Sequence, residues 1–571
     1  MPRDRWAVHL CSCNGALPIS AKETGRLAGL DSVPTLHDAL SRAGAGVFWK
    51  EAKLGADFHL VCCCSAKEAV APALREAGIE EHKIVHLDLK RDAFWRAREP
   101  DGGNRLAARL IRSAIARTEA ERPRSSLSLA VPSTVLVYTD RPEGLQLARR
   151  LADQMDVRVV LHEDAAGFDE LMPGSACASL VRGKVVQVKG HLGDFRVSLR
   201  TRQAIDLDVC TRCGRCIPIC HAKAITQGLC LVASKCDECG DCLRECAGIG
   251  AIRIPRAGAK DIAVGQVVAF VEEARAPKSG LHTGYHLVSA SGPADVDAVA
   301  FRVSRLTGGF DRPSYVSYDE KICAGGTAQL EGCGVCIDQC PYDALARVNA
   351  RIRVEESTCE GCGGCVSICP TSALRFHNPS LEQIDAQLGA LLAPLPDEPA
   401  GGMRPVIVFH CGEKGAEALQ VAGENLWPLG NNLLPVEVPC LRFVSEALIF
   451  RGFQLGASGV ALFGCLDCPN GERPMLEERL ALCRAALDAF GFGAERLSLV
   501  TVESSAEAYH LASAIGELGA FLEKIGPAPL PTFAGNALSP GEAGDGGFSE
   551  PGANRGMVVE AMRAFLGATG K

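Results

Sequence analysis

The sequence predicts a multidomain chain of α/β and α+β units. An α/β unit opens it, two small cysteine-rich α+β modules fill the middle, and a parallel α/β domain closes it. Three observations carry this reading. The 571 residues exceed the usual size of one domain. Of the 28 cysteines, 17 crowd into closely spaced runs at 210–246 and 323–369. The flanking regions alternate short apolar runs with helical patterns, as strands joined by crossover helices do. Hydrophobic residues make up 47% and charged ones 22%, enough to bury several cores. A net charge of −8 leaves no basic footprint for nucleic acid. No apolar run reaches membrane-spanning length, and the opening M-P-R-D-R-W-A-V-H-L-C has no secretory apolar region. A cytoplasmic protein is therefore expected, with cysteines used as metal ligands rather than as disulfides.

Residues 1–120 read as a small α/β unit with strands at 7–10, 58–61 and 84–89 and a closing helix at 105–120. Cys11 and Cys13 follow the first strand, and Cys62, Cys63 and Cys64 end the second, ahead of a helical run at 66–77. Strand ends facing helix starts are the usual site position of an open α/β sheet, and helix N-termini favour thiolates. The C-x-C-N-G opening, the strand into Cys62, Cys63 and Cys64, and the run Arg91-Asp92-Ala93-Phe94-Trp95 resemble the N-terminal domain of the heterodisulfide reductase A subunit. That resemblance implies a domain able to carry an iron–sulfur cluster of its own. The family's intermediate cysteine, expected shortly before Asp57, is absent from 47–55. Buried or merely reducible thiols are the other reading of these cysteines.

Residues 127–200 carry strands at 135–138 and 157–161 around a helix at 144–152, followed by paired strands at 180–188 and 195–199. At this position the reductase family begins its flavin domain, with G-x-G-x-x-G at the first turn. This chain has Thr139-Asp140-Arg141-Pro142-Glu143-Gly144 instead, so the glycines that admit a pyrophosphate are missing and two acids stand in its place. The segment reads as a degenerate Rossmann-like unit with no FAD.

Residues 203–256 contain C-x2-C-x2-C-x3-C twice: Cys210, Cys213, Cys216, Cys220 and then Cys236, Cys239, Cys242, Cys246. This is the ligand spacing of a two-cluster bacterial ferredoxin, in which the fourth cysteine of each run crosses to the other cluster. Cys210, Cys213, Cys216 and Cys246 would hold one [4Fe-4S], and Cys236, Cys239, Cys242 and Cys220 its neighbour. Paired zinc ribbons are the bland alternative; a third cysteine two residues on, in both halves, argues for the cubane. His221 and Ala247 replace the usual proline after each run. Cys230 reads as a small buried side chain.

Residues 257–318 read as a spacer, strand-like at 264–271 and 285–289 and helical near 295–306, packing the two modules together. Residues 319–378 repeat the ferredoxin pattern. Cys359, Cys362, Cys365 and Cys369 form a regular half. Cys323 is separated by an insert at 324–332 from Cys333, Cys336 and Cys340. The crossover rule groups Cys323, Cys333, Cys336 and Cys369, and then Cys359, Cys362, Cys365 and Cys340. Were Cys323 not a ligand, a three-cysteine [3Fe-4S] site would remain.

After a Pro/Gly-rich linker at 391–404, residues 405–526 alternate strands and helices. Successive strands end at Cys411, Cys440, and the pair Cys465 and Cys468. Four thiolates at one sheet edge can hold a [2Fe-2S] cluster or a zinc. The F-H-C at Cys411, the V-P-C at Cys440 and the G-A-S-G-V-x-L-F-G-C run into Cys465 resemble the delta, iron–sulfur subunit of methyl-viologen-reducing hydrogenases. The resemblance implies a [2Fe-2S] electron-transfer domain that works with heterodisulfide reductase. The family's second cysteine just after the first is replaced by Gly412-Glu413-Lys414, and the last pair is closer, C-x2-C. Cys483 reads as core, and 527–571 as a flexible tail with a terminal helix at 557–566.

No nucleophile–base pairing, phosphate loop or flavin fingerprint stands out. The expectation is a non-catalytic iron–sulfur electron-transfer subunit with four [4Fe-4S] clusters and one [2Fe-2S]. It would relay electrons between a hydrogenase, formate dehydrogenase or heterodisulfide-reductase-type enzyme and an acceptor. The alternative is an accessory scaffold for maturation of such an enzyme.

Overall fold

The computed structural model describes residues 5–526 except 39, 41–55, 63–78, 95–99, 122–124, 163–178, 202–203, 207–208, 230, 232–234, 254–257, 272–281, 289–294, 326–331, 350, 399–403, 428, 467, 469, 471–473 and 503–507. Cys63, Cys64, Cys230, the helical run at 66–77 and the tail at 527–571 lie outside the described residues.

The first unit is a parallel sheet in the order β2-β1-β3-β4, formed by β1 (Trp6–Cys11), β2 (Thr35–His37), β3 (Phe58–Cys62) and β4 (Ile84–Leu87). One face carries Val8, Leu10 and Leu60 into the main core against α2 (Pro100–Glu119). α1 (Ala21–Ala28) packs beside it, started by the Ser20 side chain accepting from Glu23 N and ended by Gly29 in the left-handed region.

The second unit spans a far longer stretch than its sequence suggests. Before the first cysteine module come β5 (Ser126–Val131), β6 (Thr134–Thr139), α3 (Pro142–Leu151), β7 (Asp156–Leu161), β8 (Ser179–His191) and β9 (Asp194–Thr201). After it come β10 (Gly258–Val264), β11 (Gln266–Phe270), β12 (Tyr285–Leu287), α4 (Val296–Ser304) and β13 (Gly308–Pro313). They form one seven-stranded sheet, β10-β9-β8-β7-β6-β11-β12, while β13 pairs with β5. Its parallel part, β8-β7-β6-β11-β12, runs outward on both sides of β6, the arrangement of a doubly wound sheet. The stretch read as a spacer is thus the second half of this sheet. Each of its strands looks ordinary locally; the partners lie far upstream, and pairing over that separation leaves no local signal.

The first cysteine module is an excursion from this sheet. Thr201 at the end of β9 lies opposite Gly258 at the start of β10, so the chain leaves and returns at one point. The excursion has its own small core of Ile205, Cys216, Ile225, Leu229, Cys242 and Ile252.

The second module contains β14 (Val316–Tyr318), β15 (Leu345–Val348), β16 (Arg351–Val354) and β17 (Leu374–Phe376), pairing β14 with β17 and β15 with β16. Unlike the first, it shares the main core. Val316, Leu345 and Phe376 pack in the same cluster as Leu10, Leu106, Phe409 and Phe443. α5 (Leu381–Leu392), opened by a capping box of Ser380 and Gln383, packs along α2. Buried Arg109 of α2 donates to the carbonyls of Leu391 (2.7 Å) and Ala393 (2.8 Å) and pairs with Glu398.

The last unit is an all-parallel sheet, β19-β18-β20-β21, from β18 (Val406–Cys411), β19 (Leu433–Val438), β20 (Gly459–Cys465) and β21 (Leu497–Val502). Helices α6 (Lys414–Glu424), α7 (Glu446–Gln454), α8 (Pro474–Ala489) and α9 (Ala508–Lys524) cover it. All four strands are apolar along most of their length, as strands covered on both faces must be. Cys483 is fully buried among core residues on α8. No helix among the described residues is long and apolar enough to cross a membrane.

Candidate metal centres

The register of the last sheet brings distant cysteines together. His410 lies opposite Phe463, so β18 and β20 end at the same level, and the sulfurs of Cys411 and Cys465 are 3.8 Å apart. Cys440, just past β19, lies with its sulfur 3.6 Å from that of Cys468. All four line one cavity with Leu441, Arg442, Leu466, Leu476, Leu499 and Thr501. Glycines make room for the first sulfur. A Cβ on Gly464 would sit 3.1 Å from Cys411 Sγ, and one on Gly415 would sit 2.6 Å from the Phe463 carbonyl. The Gly415 N–H donates to Cys411 Sγ at 3.3 Å, a bond that favours thiolate. The neighbouring Cys440 sulfur, and burial with it, pushes the Cys468 thiol up to about 12. Cys465 and then burial push the Cys411 thiol up as well. Four such sulfurs in a mainly apolar cavity can be thiolates together only around a cation.

In the second module, Cys340, Cys359, Cys362 and Cys365 line a single cavity with Gln339, Tyr342, Leu345 and Val354. This is one complete crossover set. Burial pushes the Cys336 thiol up to about 11, and the charges of Cys369, Cys323 and Cys333 add to it, so the other set also converges. The insert between Cys323 and Cys333 is pinched shut at its base. Arg347 donates to the carbonyls of Gly325 (3.3 Å) and Cys333 (3.0 Å). A Cβ on Gly325 would stand 2.3 Å from the Cys333 carbonyl oxygen. The two ends of the insert therefore lie side by side.

The first module behaves alike. Burial and then the charges of Cys210, Cys213 and Cys246 push Cys216 up to about 11. Cys242 is raised by burial and then by Cys220, Cys236 and Cys239. Cys213 and Cys239 are exposed. His221 lies 2.7 Å from Asp237 and groups with exposed Cys239 and half-buried Asp241.

In the first unit, the Cys11 and Cys13 sulfurs lie 3.9 Å apart, and Cys62 sits in the apolar core, where burial holds its thiol protonated. At the turn from β6 to α3, Asp140 is turned inward beside the Arg141 guanidinium (3.4 Å). Thr139 Oγ1 accepts from Arg141 N at 3.0 Å, and a Cβ on Gly144 would collide with the Thr139 side chain. The turn is filled by its own side chains.

Two features escaped sequence reasoning. The loop Cys362-Gly363-Gly364-Cys365 docks on the turn after Cys440. A Cβ on Gly363 would meet the Phe443 ring at 2.6 Å, and one on Gly364 would meet the Arg442 guanidinium at 3.2 Å. Tyr342 lines the second-module cavity, hydrogen-bonds Asn470, and feels the charges of Cys362, Cys468 and Cys440. A glycine pair between two ligands, in place of Gly214-Arg215 or Gly240-Asp241 in the first module, was the available signal.

The pattern of the methyl-viologen-reducing hydrogenase, delta subunit family matches residues 406–526. The vhu iron–sulfur protein D of the F420-non-reducing hydrogenase of Methanocaldococcus jannaschii is 33% identical over 132 residues, 22% of this chain and 98% of that protein. Through this domain the chain belongs to the delta-subunit family. The delta domain is joined to a 4Fe-4S dicluster domain matched at 315–370. The A subunit of the H(2):CoB-CoM heterodisulfide,ferredoxin reductase of Methanothermobacter thermautotrophicus is 24% identical over 257 residues, 38% of this chain and 39% of that protein. The first of the iron–sulfur A subunits of the CoB–CoM heterodisulfide reductase of Methanopyrus kandleri is 36% identical over 193 residues, 29% of each chain. The chain thus spans less than half of the reductase A subunits it matches, and nearly all of the hydrogenase protein.

Proposed function

We propose that this chain is an electron-transfer subunit that relays single electrons between a redox enzyme and an acceptor. The partner would be a hydrogenase, formate dehydrogenase or heterodisulfide-reductase-like complex. The observation that carries the reading is the docking of the Gly363-Gly364 loop on the turn after Cys440, which sets two cysteine-lined cavities on either side of Tyr342 and Arg442. Iron–sulfur clusters supply one-electron chemistry whose potential follows cluster charge, hydrogen bonding to sulfur and burial.

The chain's own residues would bind, bury and separate these groups. Cys210, Cys213, Cys216 and Cys246, then Cys236, Cys239, Cys242 and Cys220, would each hold one [4Fe-4S]. Cys323, Cys333, Cys336 and Cys369, then Cys359, Cys362, Cys365 and Cys340, would hold two more. Cys411, Cys440, Cys465 and Cys468 would hold a [2Fe-2S]. The close pairs, 3.8 Å and 3.6 Å, match the ~3.8 Å edge of a tetrahedron with ~2.3 Å metal–sulfur bonds, one pair to each iron. The filled turn at Thr139, Asp140 and Arg141 does not suit FAD, so no flavin step enters this function.

Iron and acid-labile sulfide per chain after anaerobic purification, with EPR of the dithionite-reduced protein, test the reading. About eighteen iron atoms with reduced-cubane signals are expected. Zinc in place of iron would sink electron transfer and favour a scaffold.

A further inference from the structure

Arg442 is a buried cation, 5% exposed, at the seam between the second cysteine module and the delta domain. It lines the cavity of Cys411, Cys440, Cys465 and Cys468. On its other side the guanidinium lies against Gly364, between the ligand candidates Cys362 and Cys365. Its partners among the described residues are all neutral. Nη1 donates to the Asn470 carbonyl. Nη2 donates to the Gln339 carbonyl (2.7 Å) and Gln339 Oε1 (3.0 Å) and lies 3.9 Å from Met475 Sδ. Nε has no hydrogen-bond partner among them. A guanidinium stays charged in any protein environment. Burying one without an anion is strongly unfavourable, so an anion is expected beside it. The negative groups that the site provides on both sides are cysteine sulfurs.

We propose that Arg442 is the shared counter-charge of the two neighbouring centres, a positioning residue that sets both reduction potentials. The proposal rests on the iron–sulfur reading above. Four thiolates around a [4Fe-4S] or [2Fe-2S] core leave a net negative charge that grows by one on reduction. A fixed positive charge that lines one cavity and packs against Gly364 in the ligand loop of the other therefore favours the reduced state of each and shields one from the other. The backbone around it is built to hold it still. Its carbonyl accepts from Ser367 Oγ (2.5 Å) and from Arg479 Nη1 (3.3 Å), while Arg479 also pairs with Glu446. Those bonds hold the turn against the second module without neutralising the Arg442 side chain.

The test is an EPR-monitored redox titration of the full-length, cluster-loaded protein, comparing wild type with Arg442→Met and Arg442→Lys. Met keeps the apolar stem and removes the charge; Lys keeps the charge. With iron content unchanged, Arg442→Met is expected to shift the reduction equilibrium of both centres at least tenfold toward the oxidised form. For a one-electron couple that is about 59 mV. Arg442→Lys should stay within a few-fold of wild type. Loss of iron in Arg442→Met alone would also support a charge requirement. Unchanged potentials in a loaded Arg442→Met protein, or equal loss of iron in both variants, would overturn the proposal and leave a packing role. A wild-type protein without iron would instead remove the underlying reading.

Discussion

The sulfurs of Cys411 and Cys465 lie 3.8 Å apart because each ends a strand and the two strands are neighbours in register. Both sit at the carboxyl edge of a parallel sheet, where an open α/β fold exposes its site. Cys411→Ser should therefore cost the delta domain its metal while sparing the modules. Iron should fall by about two atoms per chain, with the cubane EPR signals retained. A uniform loss across all centres would contradict separate sites.

Gly363 combines a φ of +73° with a Phe443 ring lying where its Cβ would be. Gly240 holds the matching place in the first module, with φ +80° and open space around it. Gly240→Ala should cost only the left-handed backbone penalty, about 1–2 kcal/mol. Gly363→Ala should add about 1–3 kcal/mol of overpacking and loosen the seam. Thermal unfolding of the two variants, side by side, separates these terms. Equal costs would mean that the Phe443 contact carries no weight.

The cysteine spacings already separated the two modules and the final sheet edge, because ligand spacing is a local property of the chain. The ends of β18 and β20 were equally visible, since each strand is a short apolar run closed by its cysteine. Long-range pairing was not. The run at 264–271 reads as an isolated strand until Gln266 is seen opposite Val135 on β6. Arg442 was invisible for another reason: an arginine in sequence is ordinarily a solvated surface charge, and only the glycine pair at 363 and 364 hints that something approaches closely there.

Buried Arg109 ties α2 to the end of α5 through two carbonyls and one carboxylate, Glu398. Removing the anion strands the cation. Glu398→Ala is expected to destabilise the protein by about 3–5 kcal/mol, well beyond an exposed pair. Arg109→Met/Glu398→Ala should recover part of that loss. Denaturant midpoints for the single and double variants check it, and no recovery would argue that the carbonyl bonds dominate.

His9, His37 and His59 stand side by side across β1, β2 and β3, with His9 Nε2 3.3 Å from His59 Nδ1. Burial, then the charges of His59 and His37, lowers the His9 pKa to about 3. The unfolded chain takes up a proton near pH 6.5 that the folded one refuses until about pH 3. Stability is therefore complete above pH 6.5 and is lost as pH falls through that window, at roughly 1.4 kcal/mol per unit at most. His9→Gln should flatten the slope between pH 7 and pH 5 in urea unfolding. An unchanged slope would assign the acid sensitivity to other groups.

The two modules should also differ in how long they keep their iron. Cys213 and Cys239 are exposed on the sheet excursion, whose small core is its own. In the second module Cys323 is buried and the remaining seven cysteines are half-buried; Cys323, Cys336, Cys340, Cys359, Cys365 and Cys369 pack into the core that joins three units. Glu360, next to Cys359, is further clamped by Thr283 (2.8 Å) and by Arg312 (3.4 Å). Cluster loss by oxidant or chelator requires access to the sulfur, so about eight irons should leave in a fast phase and about eight more slowly. Truncating the clamp with Glu360→Ala should speed only the slow phase. A single phase for all the cubane iron would mean that exposure of Cys213 and Cys239 does not govern their stability, and that the first module is shielded by a partner surface or by its own loops.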